Sequence, residues 1–276
     1  LGLNGYINGL LQGAFYVTYL PRLLSEFHFY SSQPSINMQA WIQTQKYWPY
    51  ILFFTAFLIY DFSAYIAHLI THNSKYLWQF HKVHHYGEQL TYLSGSRMHP
   101  VDSFISTYIP KAVVALFISI LQPINDSVID APYNLFPKES FILFAAVIAI
   151  PELLNKFNHT HYPISFGKIL DKIFVSPAFH TIHHSQRIIG KNFGATLSVW
   201  DTIFKTSNPP STVKDLKNHS VGVIELGDHY FGSFSDALLK PFRDSFYLAR
   251  DDLITLMCHP IALKIRQKIK TLKKLD

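Results

Sequence analysis

Histidines fall in short clusters whose spacing suits metal binding. Eight of them lie in three elements, HLITH, HKVHH and HTIHH, which contain His68, His72, His81, His84, His85, His180, His183 and His184. On a helix, positions i, i+3 and i+4 fall within an arc of about 100°, so each cluster can direct its imidazoles at one point. Neutral imidazole is the commonest transition-metal ligand and suits Fe, Zn, Cu and Ni. The spacing therefore predicts a metal site.

The number of imidazoles indicates two metal ions, because eight or nine ligands exceed what one four- to six-coordinate ion takes. Two alternatives stand beside this interpretation. A lone histidine on an apolar face is more often a core or capping residue than a ligand, and an HxxHH element can be a polar patch beside anionic lipid head groups. Either alternative explains one cluster, whereas two matching clusters and an HxxxH element favour ligation by a pair of metals.

A polar stripe precedes the first cluster. Asp61, Tyr65, His68 and His72 are spaced by four, three and four residues, so they share one face of one helix. A carboxylate in an apolar, membrane-embedded segment is costly and is a functional candidate. We expect Asp61 to accept the N–H of a ligating imidazole and so fix its tautomer. The alternative is a helix-lining aspartate without a part in the chemistry.

A second stripe closes the last apolar segment. Glu152, Asn155 and His159 are spaced by three and four residues, and His159 would supply a ninth ligand with Glu152 or Asn155 behind it. His161 lies about 200° away on the same helix, so His159 is favoured as the ligand.

Two further segments have candidate roles. In RMHP, His99 can be a ligand, a partner of a ligand or a helix cap. In KNFGATLSVWDTIFKT, Asn192 and Gly194 predict a turn, and Trp200 and Asp201 can anchor that loop beneath the metals. Taken alone, the same stretch is an aromatic packing segment.

The composition indicates a membrane protein. Of 276 residues, 49% are hydrophobic and 16% aromatic, and only 15% are charged, against about 25% in soluble domains. The net charge of +6 suits nucleic acid or anionic lipid, but the basic residues form no dense patch and no recognised module, which excludes nucleic acid. The tail Lys264–Asp276 predicts a membrane-surface or solvated helix. One cysteine, Cys258, excludes an internal disulfide and thiolate metal sites.

Four apolar stretches approach the roughly 20 residues that cross a bilayer, and they are Leu3–Leu20, Tyr47–Ile70, Val101–Leu121 and Ser140–Leu154. Pro110 and Lys111 interrupt the third, which predicts either a kinked span or an interfacial helix followed by a re-entrant piece. We expect an all-α integral membrane protein with about four transmembrane helices and a cytosolic, helical, histidine-rich cap.

The topology places every histidine cluster on one side of the membrane. If the second span exits at His72, the third and fourth spans run out and back, and the chain returns at Asn155. Basic residues concentrate on that side, whereas Lys138 is the one base in the opposite loop, which predicts a cytosolic metal site.

We expect a single membrane domain over 1–276, with an N-terminal span and loop (1–46), a histidine core (47–206) and a cytosolic extension (207–276). Because the chain begins at Leu1 inside an apolar segment, we expect natural N-terminal residues to be missing. That segment lacks a basic start and a cleavage signal, so it is not predicted to be a signal peptide.

The combined order of motifs is similar to the fatty acid hydroxylase/sterol desaturase superfamily. It runs HxxxH, HxxHH, an isolated histidine after an apolar hairpin, HxxHH, NFG and WDxxF, from Tyr47 to Thr206, and Arg97–Pro100 resembles the R-x-H-P element of bacterial members. The resemblance implies a four-helix membrane enzyme with a dimetal, usually di-iron, centre. Such an enzyme uses O₂ and two electrons to hydroxylate or desaturate a fatty acyl chain or sterol.

Carried over to this chain, the resemblance implies the ligands His68, His72, His81, His84, His85, His159, His180, His183 and His184. The surrounding candidates are Asp61, Tyr65, His99, Glu152, Asn155, Asn192 and Asp201. Two positions depart from the family pattern. Leu69 stands where a basic residue often follows the first histidine, and Asp102 stands where glutamate is common; either can alter substrate contacts.

The electron source and two competing functions complete the expectations. No nucleotide, flavin or haem motif is present, so electrons should come from a separate reductase with a ferredoxin or cytochrome partner. A metal transporter or buffer is one alternative, but the histidines gather at one face instead of lining a path. A zinc hydrolase is the other; HExxH is absent, and redox-inert Zn²⁺ cannot make an oxidant from O₂.

Overall fold

The described part of the chain is helical. The structure, a computed structural model, describes residues 47–121, 138–213, 216, 220–224, 226 and 230–272. Within these ranges there is no β-sheet, and isolated backbone bridges join Phe174 to Leu197 and Ser185 to Val221. The predicted helical class is thus confirmed for these ranges, while the predicted span Leu3–Leu20 lies outside them.

Two helices that meet at a sharp corner bring the first two histidine clusters together. Helix α1 spans Trp48–Asn73 and begins with a proline in its first turn, where the missing N–H costs nothing. It ends at Ser74, which is extended and whose hydroxyl accepts the Leu77 N–H, so the same residue caps α2, Lys75–His85. Tyr50–Asn73 is the one helix of the described ranges that has the length and apolar composition to cross a membrane.

The third predicted segment forms one continuous helical run. Helix α3, Pro100–Ser103, passes into a π-turn, Phe104–Tyr108, and then into α4, Ile109–Leu121. The Ile109 N–H bonds to the Phe104 carbonyl five residues back, and Pro110, which has no N–H to give, follows directly. Proline is therefore accommodated by a local widening of the helix, and neither a break nor a re-entrant piece forms within this run.

Helix α5, Lys138–Asn158, contains Pro151 and packs with α4 against α1. Their shared core contains Leu52, Ala56, Tyr60, Val114 and Val147, drawn from all three helices. Because α5 ends at Asn158, it delivers the next residue, His159, to the end of this core. The three helices thus position both polar stripes predicted from the sequence.

Shorter elements complete the cap. They are 3₁₀ turns at Ser94–Ser96, Leu170–Lys172 and Pro210–Thr212, and helices α6, Pro177–His183, and α7, Val199–Ile203. The Ser176 hydroxyl accepts the Phe179 N–H and caps α6, which carries the last cluster. Helix α8, Phe234–Leu272, lies along α2, where Asp244 pairs with Lys82 at 2.9 Å.

Candidate metal centre

The structure brings all nine predicted ligands together, in two neighbouring groups. The ring nitrogens of the first group lie within 4.8 Å of one another, and this group contains His68, His72, His81, His85 and His183. The second group has the same spread and contains His84, His159, His180 and His184. The groups touch where the rings of His85 and His184 stack with centroids 4.2 Å apart. Two adjacent sites made only of imidazole are the result.

Helical spacing explains how each HxxHH cluster serves both groups. On α2, the i, i+4 pair His81 and His85 belongs to the first group, whereas His84 belongs to the second. On α6 and its C-cap residue His184 the assignment is reversed: the i, i+4 pair His180 and His184 belongs to the second group, and His183 belongs to the first. The two clusters therefore interlock, each giving a pair to one group and a single ring to the other.

Fixed acceptors set the tautomers of four ligands. In each case Nδ1 faces an oxygen that carries no hydrogen, so Nδ1 must donate and Nε2 keeps its lone pair for a metal. The pairs are His68 with the Phe193 carbonyl (2.9 Å), His159 with the Asn155 carbonyl (2.6 Å), His183 with the Lys191 carbonyl (2.9 Å) and His81 with the Asp102 carboxylate (2.9 Å).

The inward-facing nitrogens fit bound cations. The Nε2 atoms of His180 and His159 are 2.9 Å apart, and those of His159 and His84 are 3.1 Å apart. Buried Nε2 atoms of His68 and His72 have no hydrogen-bond partner among the described residues. Lone pairs that converge at this distance repel one another, and buried polar atoms rarely go unsatisfied. A metal ion in each group would satisfy them, and an all-nitrogen set suits a first-row transition metal.

Burial keeps the ligands of the cap neutral. It lowers the pKa of His84, His85, His180, His183 and His184 well below the ordinary value, and neighbouring imidazoles lower it further. Burial is also the main reason that the pKa of His159 falls from 6.5 to about 4. A metal binds neutral imidazole, so these shifts prepare the ligands for metal binding near neutral pH.

The lowered pKa values predict that the metal-free protein is destabilised by acid. As pH falls below 6.5, these histidines take up protons in the unfolded chain but stay neutral in the folded one, down to about pH 4 for His159. Each such histidine removes up to about 1.4 kcal/mol of stability per pH unit in this window. Thermal midpoints of metal-stripped protein in detergent should therefore drop steadily from neutral pH toward pH 4. Midpoints that stay level or rise over this window would contradict the assignment of buried neutral ligands.

Asp102 supports a ligand, a role that the sequence did not reveal. Its buried carboxylate accepts the Nδ1–H of His81, and the Ser106 hydroxyl donates to its Oδ1 at 3.0 Å. A carboxylate behind a ligating imidazole fixes the ring and raises its basicity. In the sequence, Asp102 differs from the glutamate that is common at this position in the family, and this difference predicts altered substrate contacts and not support of a ligand.

Asp61 does not contact a histidine, in contrast to the role expected for it. Its carboxylate accepts the backbone N–H groups of Thr196 (2.8 Å) and Leu197 (3.1 Å) and the indole N–H of Trp200 (2.9 Å). These three donors, from a loop more than a hundred residues away, occupy both carboxylate oxygens. Asp61 thus ties α1 to that loop. Tyr65, on the same stripe, bonds through its hydroxyl to Thr206 (3.0 Å).

The NFG and WD residues hold the ligands through the backbone. Asp201 accepts the N–H groups of Phe193 (2.8 Å) and Gly194 (2.7 Å), and the Phe193 carbonyl in turn accepts from His68. A Cβ on Gly194 would lie 2.6 Å from the Leu197 carbonyl oxygen, so only glycine fits this turn. Asn192 adopts a left-handed φ of 64°, and its amide donates to the Phe179 and Asn208 carbonyls.

The other candidates lie beside the metal groups without joining them. His99 caps α3, because its Nδ1 accepts the Val101 N–H and its Nε2 donates to the Leu238 carbonyl. His161 is exposed against Tyr162. Asn155 supports His159 through its backbone carbonyl, not its side chain, and Glu152 pairs with Lys111 instead of an imidazole.

A cavity of about 90 Å³ reaches both groups. His68 and His81 of the first group and His84 and His180 of the second form part of its wall. The rest of the wall comes from α1, the π-turn, α5 and the loop after Asn192, and it contains Tyr60, Ala64, Met98, Ser106, Thr107, Pro151, Glu152, Asn155, Gly194 and Ala195. A substrate in this cavity would lie against both metal groups.

Comparison with known proteins agrees with this architecture. The fatty acid hydroxylase family profile matches residues 53–206. The chain is 31% identical over 156 residues to the ornithine lipid hydroxylase OlsE of Rhizobium tropici, covering 55% of this chain and 41% of that protein. It is 29% identical over 155 residues to the alkylglycerol monooxygenase of Homo sapiens, covering 55% of this chain and 30% of that protein.

The alkylglycerol monooxygenase of Danio rerio is likewise 29% identical, over 175 residues that cover 62% of this chain and 34% of the relative. This chain therefore spans less than half the length of each of these relatives. No solved structure matches it. The family profile covers both histidine groups and the loop that supports them, over more than half of the sequence. On this basis the chain belongs to the fatty acid hydroxylase family.

Proposed function

We propose that this protein is an O₂-dependent lipid hydroxylase whose nine histidines hold two iron ions. The observation that carries the proposal is the pair of touching, nitrogen-only ligand groups that share one cavity wall. Family membership and the relatives' names, a lipid hydroxylase and a monooxygenase, support oxidation of a lipid. The same relatives favour hydroxylation over desaturation.

The overall reaction balances as one lipid C–H, one O₂, two electrons and two protons giving one lipid C–OH and one water. Bound iron would supply the redox chemistry that activates O₂, which imidazole alone cannot do. The protein's own residues do the remaining work. The Phe193, Asn155 and Lys191 carbonyls and Asp102 aim the ligands, and the cavity walls position the C–H bond and exclude water.

The proposed setting is a membrane that α1 crosses, with the metal groups at its cytosolic end. His68 and His72 lie in the last turns of α1, and the cap that carries the other ligands follows directly. A lipid can then enter the cavity from the bilayer between α1, α4 and α5. A separate ferredoxin or cytochrome with its reductase would deliver the two electrons to the cap.

Isotope labelling tests the proposal. Purified iron-loaded protein in lipid nanodiscs is given a reductase system, labelled O₂ and a mixture of an ornithine lipid, an alkylglycerol, a fatty acid, a phospholipid and a sterol. We expect one labelled oxygen atom in one lipid class and the other in water. A new double bond without label would make the protein a desaturase. Iron-loaded protein that oxidises none of these lipids would refute the proposal.

A further inference from the structure

The cavity beside the metal groups has a polar wall. Five of its residues that are not ligands carry hydroxyl, carboxyl or amide groups, and they are Tyr60, Ser106, Thr107, Glu152 and Asn155. Ala64, Met98 and Pro151 supply apolar surface. A hydrocarbon segment packed against polar groups displaces their water without offering them a hydrogen bond, and this costs free energy. The wall therefore suits a substrate with a polar group close to the carbon that is oxidised.

Glu152 is the charged member of this wall. Its Oε1 accepts from the Lys111 ammonium at 2.9 Å, and Lys111 is its one hydrogen-bond partner among the described residues. The Lys111 side chain is 3% exposed, whereas that of Glu152 is 36% exposed. The buried lysine therefore fixes one carboxylate oxygen and leaves the other accessible.

The ion pair between Lys111 and Glu152 is not explained by a gain in stability. Apolar side chains of α4 and α5, among them Val114, Ala115 and Val147, are buried in the same two helices. Withdrawing the Lys111 charge from water is costly, and its attraction to a partly exposed carboxylate often fails to compensate. Ionisable residues in such apolar helices commonly mark substrate sites. Asp61, the buried acid of α1, differs from Glu152, because three N–H donors of Thr196, Leu197 and Trp200 already occupy both of its oxygens.

Resting on the proposed function, we propose that Glu152 determines substrate specificity by accepting a hydrogen bond from an O–H or N–H of the lipid. The substrate class is then a polar lipid with a hydroxyl or amine near the oxidised carbon. The hydrogen bond holds the head-group region at Glu152, and the cavity places the neighbouring carbon against His84 and His180. The interior of an unsubstituted acyl chain offers no such donor.

The site of oxidation gives the first test, with the labelled lipid mixture described above. Fragmentation mass spectrometry should place the new oxygen on a carbon next to a heteroatom-bearing carbon, or on that carbon itself. A label in the interior of an acyl chain would overturn the specificity proposal and leave the lipid hydroxylase intact. If no lipid is labelled, the proposed hydroxylase function is refuted, and the specificity proposal that depends on it is refuted with it.

Selectivity gives the second test. The oxidised lipid is compared with a capped analogue, in which its hydroxyls are O-methylated or its amine is N,N,N-trimethylated, so that no O–H or N–H remains to donate. Wild type should prefer the free lipid by about 10- to 100-fold in kcat/KM, as for a hydrogen bond to a charged acceptor. Equal use of both lipids overturns the proposal without recourse to any variant.

Variants then assign the preference to one side chain. Glu152→Gln should reduce the ratio to near one, mainly by raising KM for the free lipid, with iron content unchanged. Glu88→Gln is the matched control, because Glu88 is exposed and lines a different cavity, and it should keep the wild-type ratio. An iron-loaded Glu152→Gln protein that retains the preference would show that another group binds the lipid.

Discussion

Alanine at His84 or at His183 should abolish lipid oxidation and remove metal. His84 is one of four ligands in its group, and His183 is one of five in the other. Each is buried among the other imidazoles, and alanine offers no atom that could take its place as a ligand. We expect turnover to fall below detection and bound iron to drop by about one ion per chain, measured by product formation and by metal analysis of the purified variants.

His161→Ala is the matched control for both variants. His161 is exposed, contacts the Tyr162 ring and lies outside both groups. Its replacement should leave iron content and turnover as in the wild type. His28, His219 and His229 are also expected to tolerate replacement, but they lie outside the described residues, as does the side chain of His259. Wild-type turnover in both His84→Ala and His183→Ala would show that the ligand assignment is wrong.

Asp102→Asn should lower iron affinity or turnover by about 10- to 100-fold, the usual effect of removing a carboxylate behind a ligating histidine. The neutral amide still fills the space, but it no longer places a negative charge behind the His81 ring. Iron titration of metal-stripped protein and steady-state turnover measure the two effects. Asp102→Glu keeps the charge and should recover much of the loss.

A second buried aspartate separates this effect from plain destabilisation. Asp171 is as buried as Asp102 and accepts the Phe166 N–H, but it does not contact a metal ligand. Asp171→Asn should lower the thermal midpoint without changing iron affinity. If Asp102→Asn behaves in the same way, the carboxylate stabilises the fold and has no special part in metal binding.

Local spacing explains what the sequence could predict. The two HxxHH clusters lie on helices, so i, i+3 and i+4 positions converge wherever the helices are placed, and the nine histidines that the spacing predicts are the nine that the structure groups. The spacing of Glu152, Asn155 and His159 also favoured His159 over His161 as a ligand. Both residues follow the end of α5 at Asn158, and only His159 lies in a metal group. The division into groups of five and four was not predictable, since it depends on how α2 and α6 face each other.

Long-range partners explain what the sequence could not predict. Asp61 was expected to accept the N–H of a ligating imidazole, but its donors are the backbone of Thr196 and Leu197 and the indole of Trp200. Glu152 likewise pairs with Lys111 on another helix. Helical periodicity identifies which residues share a face, but not which distant segment that face meets.

The segment around Pro110 shows a third kind of limit. A proline and a lysine in an apolar stretch predicted either a kinked span or an interfacial helix followed by a re-entrant piece, and between Pro100 and Leu121 no re-entrant piece forms. The structure keeps the helix continuous, because the π-turn at Phe104–Tyr108 places the missing donor where the backbone is already widened, and Glu152 neutralises Lys111. The same π-turn contributes Ser106 and Thr107 to the cavity wall, so the local irregularity also shapes the proposed substrate site.

The most direct measurement is metal analysis of the purified protein combined with Mössbauer spectroscopy. The two nitrogen-only groups predict close to two iron ions per chain, in similar but distinct nitrogen environments because one group has five ligands and the other four. A single ion per chain, or stoichiometric zinc without iron, would contradict the account.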